Sequence, residues 1–178
     1  NTAYGFGALN ANTTASYNTA VGYEASLSNT TGTDNTSFGF RALRANTTGD
    51  YNTAIGIEAL LSASTADQNT AVGYRAMYNN TSGHDNNAFG FCSLCSNTTG
   101  NYNVALGGNA LYSNTTGSSN VGMGYKPLFN NTSGDYNTAL GYEALFTNTT
   151  GAYNYAAGLD ALRSNTTGNH NQATGAEA

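Results

Sequence analysis

Three groups of residues in this chain have types and spacings that could do chemistry. The first is a set of asparagines that meet the Asn-x-Ser/Thr acceptor rule, where an amide nitrogen could carry a glycan: Asn12, Asn29, Asn46, Asn80, Asn97, Asn114, Asn131, Asn148 and Asn165. Asn35, Asn79 and Asn130 match it too. The second group is Cys92 and Cys95 in the run FCSLC, a CxxC pair that could close a local disulfide or form half of a zinc site. No second half exists, because His84 and His170 lack ligand spacing; two thiols at variable positions is the simpler reading. The third group is Glu24, Arg41, Glu58, Arg75, Lys126, Glu143, Asp160 and Glu177, which recur in one phase of a 17-residue period. Brought side by side they form an exposed edge of weak ion pairs worth ~0–1 kcal/mol each. They are not a catalytic pair, and only the like-charged Glu143, Asp160 and Glu177 offer a place for a cation. No Ser-His-Asp arrangement, phosphate loop, dinucleotide fingerprint or Asp-rich calcium turn is present, so neither an enzyme nor a cofactor is expected.

What must position these groups is a repeat without slips. Numbering each repeat from Asn1, position 1 is Asn at Asn18, Asn35, Asn52, Asn69, Asn86, Asn103, Asn120, Asn137 and Asn154. Position 5 is glycine at Gly22, Gly39, Gly56, Gly73, Gly90, Gly107, Gly124, Gly141 and Gly158. A short fixed period means one unit stacked on copies of itself. The 178 residues hold ten full repeats and part of an eleventh, and both ends fall inside the motif. Residues 1–178 are therefore expected to be a single solenoid segment of a longer fibre.

Composition narrows the class. Charged residues are 8% of the chain, against ~25% in an ordinary domain. The periodic placement of 13 Tyr and 7 Phe argues against disorder. A net charge of −5 with no basic patch excludes nucleic acid as a partner. No stretch approaches the ~18 apolar residues of a membrane span, and no signal peptide is recognisable.

The consensus N-T-A-[VIFL]-G-[YF]-x-A-L-x-x-N-T-T-G-x-Y predicts a strand over positions 2–6. One face, positions 4 and 6, is large and apolar; the other, positions 3 and 5, is Ala and Gly. The small face admits a second layer of the chain's own coil. The large face needs another partner, most simply a neighbouring chain. Positions 8–10 predict a second short strand, with Pro127 marking a bend or a strand start at position 8. The NTTGxY run predicts turns. The fold class is thus all-β, a parallel β-solenoid of 17-residue coils with two short strands each, about 50 Å long at ~4.8 Å per coil. The position-1 asparagines are expected to form an internal amide ladder. Those at position 12 are expected on the outer turn, where they either stack with the threonines or carry sugar.

The run NTAVGYEA (Asn18 to Ala25), repeated as NTAIGIEA, NTAVGYRA and NTALGYEA, resembles the head repeat of trimeric autotransporter adhesins, whose motif reads [NS]-V-A-I-G-x-x-A. The resemblance recurs in every repeat, and the extra residues of this longer repeat lie in the NTTG turn. The array is also similar to repeats of phage and giant-virus tail-fibre proteins. These resemblances imply a left-handed β-roll and a homotrimeric, non-enzymatic fibre, stalk or head at a cell or virion surface. Its partners would be copies of itself, a host surface or glycans. A glycan-coated filament scaffold is the alternative, and the Thr columns at positions 13 and 14 raise an ice-binding solenoid as a minor one.

Overall fold

Positions 2–4 of every repeat, Thr-Ala-Val at Thr19–Val21 for example, alternate β-favouring residues about a small one and are extended. A computed structural model of the chain describes residues 1–178. It holds eleven such three-residue strands, from β1 (Thr2–Tyr4) to β11 (Gln172–Thr174), and no helix. They form one parallel sheet in chain order, each residue paired with its equivalent one repeat on, as in Ala54↔Ala71 and Ile55↔Val72. The chain is an all-β solenoid with coils of about 17 residues.

The second predicted strand is absent. Positions 5 to 10 are tight turns in which alternate residues adopt positive φ: Gly39 at 137°, Arg41 at 55° and Leu43 at 52°. An extended strand has no room for left-handed residues at every second place. Coils still bond to one another through this segment. The Leu43 amide donates to the Ala59 carbonyl at 2.9 Å, and the Ala45 amide to Leu61 at 3.1 Å. Non-glycine residues resist this backbone by roughly 1–2 kcal/mol each, and these inter-coil bonds hold it. The position-5 glycines answer a second demand. A Cβ on Gly56 would sit 2.5 Å from the Gly73 carbonyl oxygen, so neighbouring backbones touch there.

The interior contains the position-3 and position-8 alanines and a column of large side chains at position 9: Leu43, Leu60, Met77, Leu94, Leu111, Leu128 and Leu145. Truncating one of these leucines to Ala typically costs ~2–5 kcal/mol. Two of the exceptions to the consensus are matched pairs. Ser26 at position 9 donates its hydroxyl to Ser37 at position 3, 2.8 Å away and also buried. Pro127 at position 8 faces Gly122 at position 3, where an added Cβ would come 3.2 Å from the proline ring.

Both asparagine columns lie inside. At position 1, Asn103 donates its amide to Asn86 Oδ1 at 3.1 Å and to the Gly117 carbonyl at 2.9 Å. Its own Oδ1 accepts the Asn120 backbone N–H at 3.0 Å. The position-12 asparagines, expected on the outer turn, are buried as well. Asn114 donates to Asn97 Oδ1 and to the same Gly117 carbonyl, each at 2.9 Å. One position-15 carbonyl thus accepts both columns in every full coil except the fourth, where Ala66 accepts Asn52 alone. The reason for the inward turn is that an Asn side chain here reaches the carbonyl three residues on and satisfies a backbone group that would otherwise be buried unpaired.

Coil four changes two of these positions together. A Cβ on the position-15 glycine would meet the next coil's position-15 carbonyl oxygen and would sit about 2.5 Å from the position-12 amide oxygen of the same coil, as at Gly100 against Gly117 and Asn97 Oδ1. Where position 12 is Ala63 that oxygen is gone, and position 15 is Ala66. In coil one Asn12 faces Ala15, and Asn12 Oδ1 has no hydrogen-bond partner.

Asn103→Leu is expected to destabilise the fold by ~1–3 kcal/mol, because the Asn120 N–H loses its partner and the Gly117 carbonyl one of its two donors; an unchanged melting temperature would overturn this role. Ala63→Asn is expected to destabilise when made alone and to be tolerated when combined with Ala66→Gly, which chemical denaturation of the four proteins of the cycle measures.

Candidate functional site

The surface is sorted by column. The outer face of the sheet shows position 4, including Phe38, Ile55, Phe89 and Met123, and beside it position 6, including Tyr23, Phe40, Ile57, Phe91 and Tyr142. All of these are exposed, Phe38 and Phe91 by 56% each. No charged residue occupies position 2, 4 or 6 in any repeat. Stacking at coil spacing runs the position-6 rings into ladders, Phe6–Tyr23–Phe40 with centroids 5.4 Å apart at each step. The small face points inward and the large apolar face points out, as the alternation requires.

Charge falls on two other zones. All five cations (Arg41, Arg44, Arg75, Lys126 and Arg163) lie at positions 7 and 10, with Glu24, Glu58, Glu143, Asp160 and Glu177 among them. That edge is neutral overall. Its carboxylates are more covered than an exposed edge implies, since Glu24, Glu58 and Glu143 side chains are only 13–14% accessible. Glu24 meets Arg44 at 2.7 Å and Arg41 at 3.1 Å. The Arg44 hydrogen bond holds the Glu24 carboxyl below its usual range. Its contribution is present above the unfolded carboxylate pKa and is lost as pH falls through the folded one. Arg163 sits between Glu143 at 2.8 Å and Asp160 at 3.2 Å, which breaks the like-charged run. No group of three or more His, Cys, Asp or Glu side chains has the geometry of a metal site. Arg41, Arg75, Lys126 and Arg163 each lie over an aromatic ring at 4.9–5.1 Å.

The other five carboxylates, Asp34, Asp50, Asp67, Asp85 and Asp135, lie at positions 16 and 17, so the whole net charge of −5 belongs to that corner. Asp67 and Asp135 have structural work: their Oδ1 atoms accept the backbone N–H of Asp50 and Ser118 one coil back, at 2.8 and 2.7 Å. Sorting the charges by repeat position would have found this corner from the sequence; attention to position 7 alone misses it.

Cys92 and Cys95 are both free thiols in one coil, buried on the position-7 and position-10 edge. Burial, reinforced by the neighbouring Cys92, pushes the Cys95 thiol up to about 12. It is therefore a protonated, poor nucleophile at neutral pH.

The acceptor asparagines divide sharply. Asn29, Asn46, Asn80, Asn97, Asn114, Asn131 and Asn148 are buried with their amide nitrogens bonded inside the coil; Asn12 and Asn165, in the first and last full coils, are partly exposed. Asn35 belongs to the interior position-1 column. At position 11, Asn79 is exposed and Asn130 half-exposed. Of the threonine columns, position 14 is exposed, whereas position-13 hydroxyls already donate to the next coil, as Thr98 Oγ1 does to Thr115 at 3.0 Å.

No family model matches the chain, and neither a curated protein nor a solved structure does.

In protein secreted by glycosylating cells and recovered folded, peptides carrying Asn97 and Asn114 are expected bare, with any sugar at Asn79 or Asn130 or in the first and last coils. Glycan mapped at Asn97 in the folded protein would overturn the interior placement of its column.

Proposed function

We propose that the chain is a structural, non-enzymatic segment of an extracellular fibre or stalk with an adhesin- or tail-fibre-like role, built from copies of itself, with a homotrimer as the simplest arrangement. The observation that carries this reading is the uncharged apolar face of the sheet, which shows an exposed large side chain at position 4 or 6 in every full coil except the seventh, where Leu106 and Gly108 stand. Such a face is far larger than the scattered apolar residues of an ordinary surface. Each Phe or Ile on it beyond the first coil is already about half covered, so covering the rest yields roughly half of the ~1.5–3 kcal/mol of a full burial. A second copy is the partner that fits best, because only another rod of the same repeat keeps its side chains in phase with this one over ten coils. Charge favours the same choice: no charged residue stands at positions 2–6, and the cations that border the face, Arg41, Arg75 and Lys126, lie over the position-6 rings Phe40, Tyr74 and Tyr125.

The alternative, a glycan-coated scaffold, finds its exposed acceptors at Asn79 and Asn130 rather than at every coil.

Sedimentation over a range of concentrations is expected to give a multiple of the 18.4 kDa chain mass, three-fold for a trimer. Ile55→Asp with Phe89→Asp, both on the exposed face, is expected to shift the protein to monomer while its circular dichroism is retained. A wild-type chain that stays monomeric at every concentration would sink the reading.

A further inference from the structure

Thirteen tyrosines are a large number for this chain, and their placement is uneven. Position 17 holds Tyr17, Tyr51, Tyr102, Tyr136 and Tyr153, all exposed, on the acidic corner rather than on the apolar sheet face. Three of them have no tyrosine above or below in the column, where Asp34, Gln68, Asp85 and Ser119 stand instead. Tyr136 and Tyr153 are consecutive. Their rings are 54% and 53% exposed, nearly parallel at 11°, with centroids 4.9 Å apart. The next ring in the column, His170, continues the stack at 5.0 Å. Both tyrosines have φ near +55° to +58°, and their amides donate to the Ser118 and Asp135 carbonyls one coil back. The backbone therefore fixes the two side chains in the same direction, one coil apart.

We propose that Tyr136 and Tyr153 form an oxidative coupling site that closes to a dityrosine staple between adjacent coils. Each phenol gives one electron and its hydroxyl proton to a one-electron oxidant, and the two resulting phenoxyl radicals join through the ring carbons beside the oxygen. Each joined carbon then loses its hydrogen as the ring regains aromaticity and its hydroxyl. With hydrogen peroxide and a haem peroxidase as oxidant, two phenols and one peroxide give one carbon–carbon bond and two waters. Parallel rings in register set like carbons opposite one another, and a small rotation of these exposed side chains closes the remaining gap to the ~3–3.5 Å from which bonds form. The coupling is favoured within the chain because the partner is held at a high effective concentration. Tyr125 and Tyr142 form the other consecutive tyrosine pair in ring contact, at position 6, but their centroids are 5.5 Å apart and the rings are inclined at 27°. They also lie on the face proposed to be covered by another copy. The site does not depend on that assembly, because position 17 lies outside the face.

The test is peroxidase with limiting hydrogen peroxide on the whole chain at high dilution, read by dityrosine fluorescence, intact mass and peptide mapping. The expected product is a species of single-chain size, lighter by two hydrogens, whose cross-linked peptide joins Tyr136 to Tyr153. Tyr136→Phe and Tyr153→Phe, which keep the stacked rings, are each expected to abolish that peptide, and Tyr17→Phe to leave it unchanged. Dityrosine found only between chains, or a staple that maps mainly to Tyr125 and Tyr142, would overturn the proposal.

Discussion

One peptide carbonyl per coil, at position 15, holds this solenoid together. In every full coil but the fourth it accepts amide protons from two asparagines, one that opens the strand and one that closes the turn, as Gly117 does from Asn103 and Asn114. The two remote parts of the coil are thereby tied to a single atom. The same asparagines bond to their equivalents in the next coil, so closure of a coil and its registry with the next are one constraint. In a dry interior an unpaired amide is costly, and a fully satisfied network of this kind specifies a single arrangement. Position 15 is correspondingly crowded: a Cβ there meets both the position-12 amide oxygen and the next coil's carbonyl, as at Gly100.

The chain inverts the usual distribution. Polar amides fill the centre beside Ala and Leu, while Phe, Tyr and Ile stand outside. The small interior is the cause: a 17-residue coil encloses room for one layer of Ala and Leu. Larger side chains must point outward, and the backbone of the tight turns must be satisfied from within. Apolar side chains thereby gather on the outer face, where positions 2, 4 and 6 hold no charged residue.

Much of this was legible before any coordinates. An unslipped period of Asn and Gly implies stacked parallel coils, and Ala opposite Val or Phe implies which strand face turns inward. The amide ladder at position 1 follows from an asparagine whose neighbours are all strand residues. Two features were not legible for physical reasons. Asn-Thr-Thr-Gly has the composition of an exposed turn, and only the short reach from Asn to the carbonyl three residues on turns it inside. Leu at position 9 carries no mark of a left-handed backbone, so Ala-Leu reads as strand when it is a turn held by the next coil. The charge segregation, by contrast, was present in the spacing and needed only to be sorted by column.

Matched exceptions such as Ala63 with Ala66, Ser26 with Ser37 and Gly122 with Pro127 have a consequence for how such a chain changes through descent. A one-residue insertion in the strand or a tight turn breaks the stacking of its coil on both neighbours. Loss or duplication of a whole repeat joins Asn to Asn and Gly to Gly and keeps the columns in phase; only a seam between coils two and three parts a matched pair, Ser26 and Ser37. Unequal recombination between repeats therefore alters the length of the rod in whole steps of ~4.8 Å, with no new surface to be selected for or against.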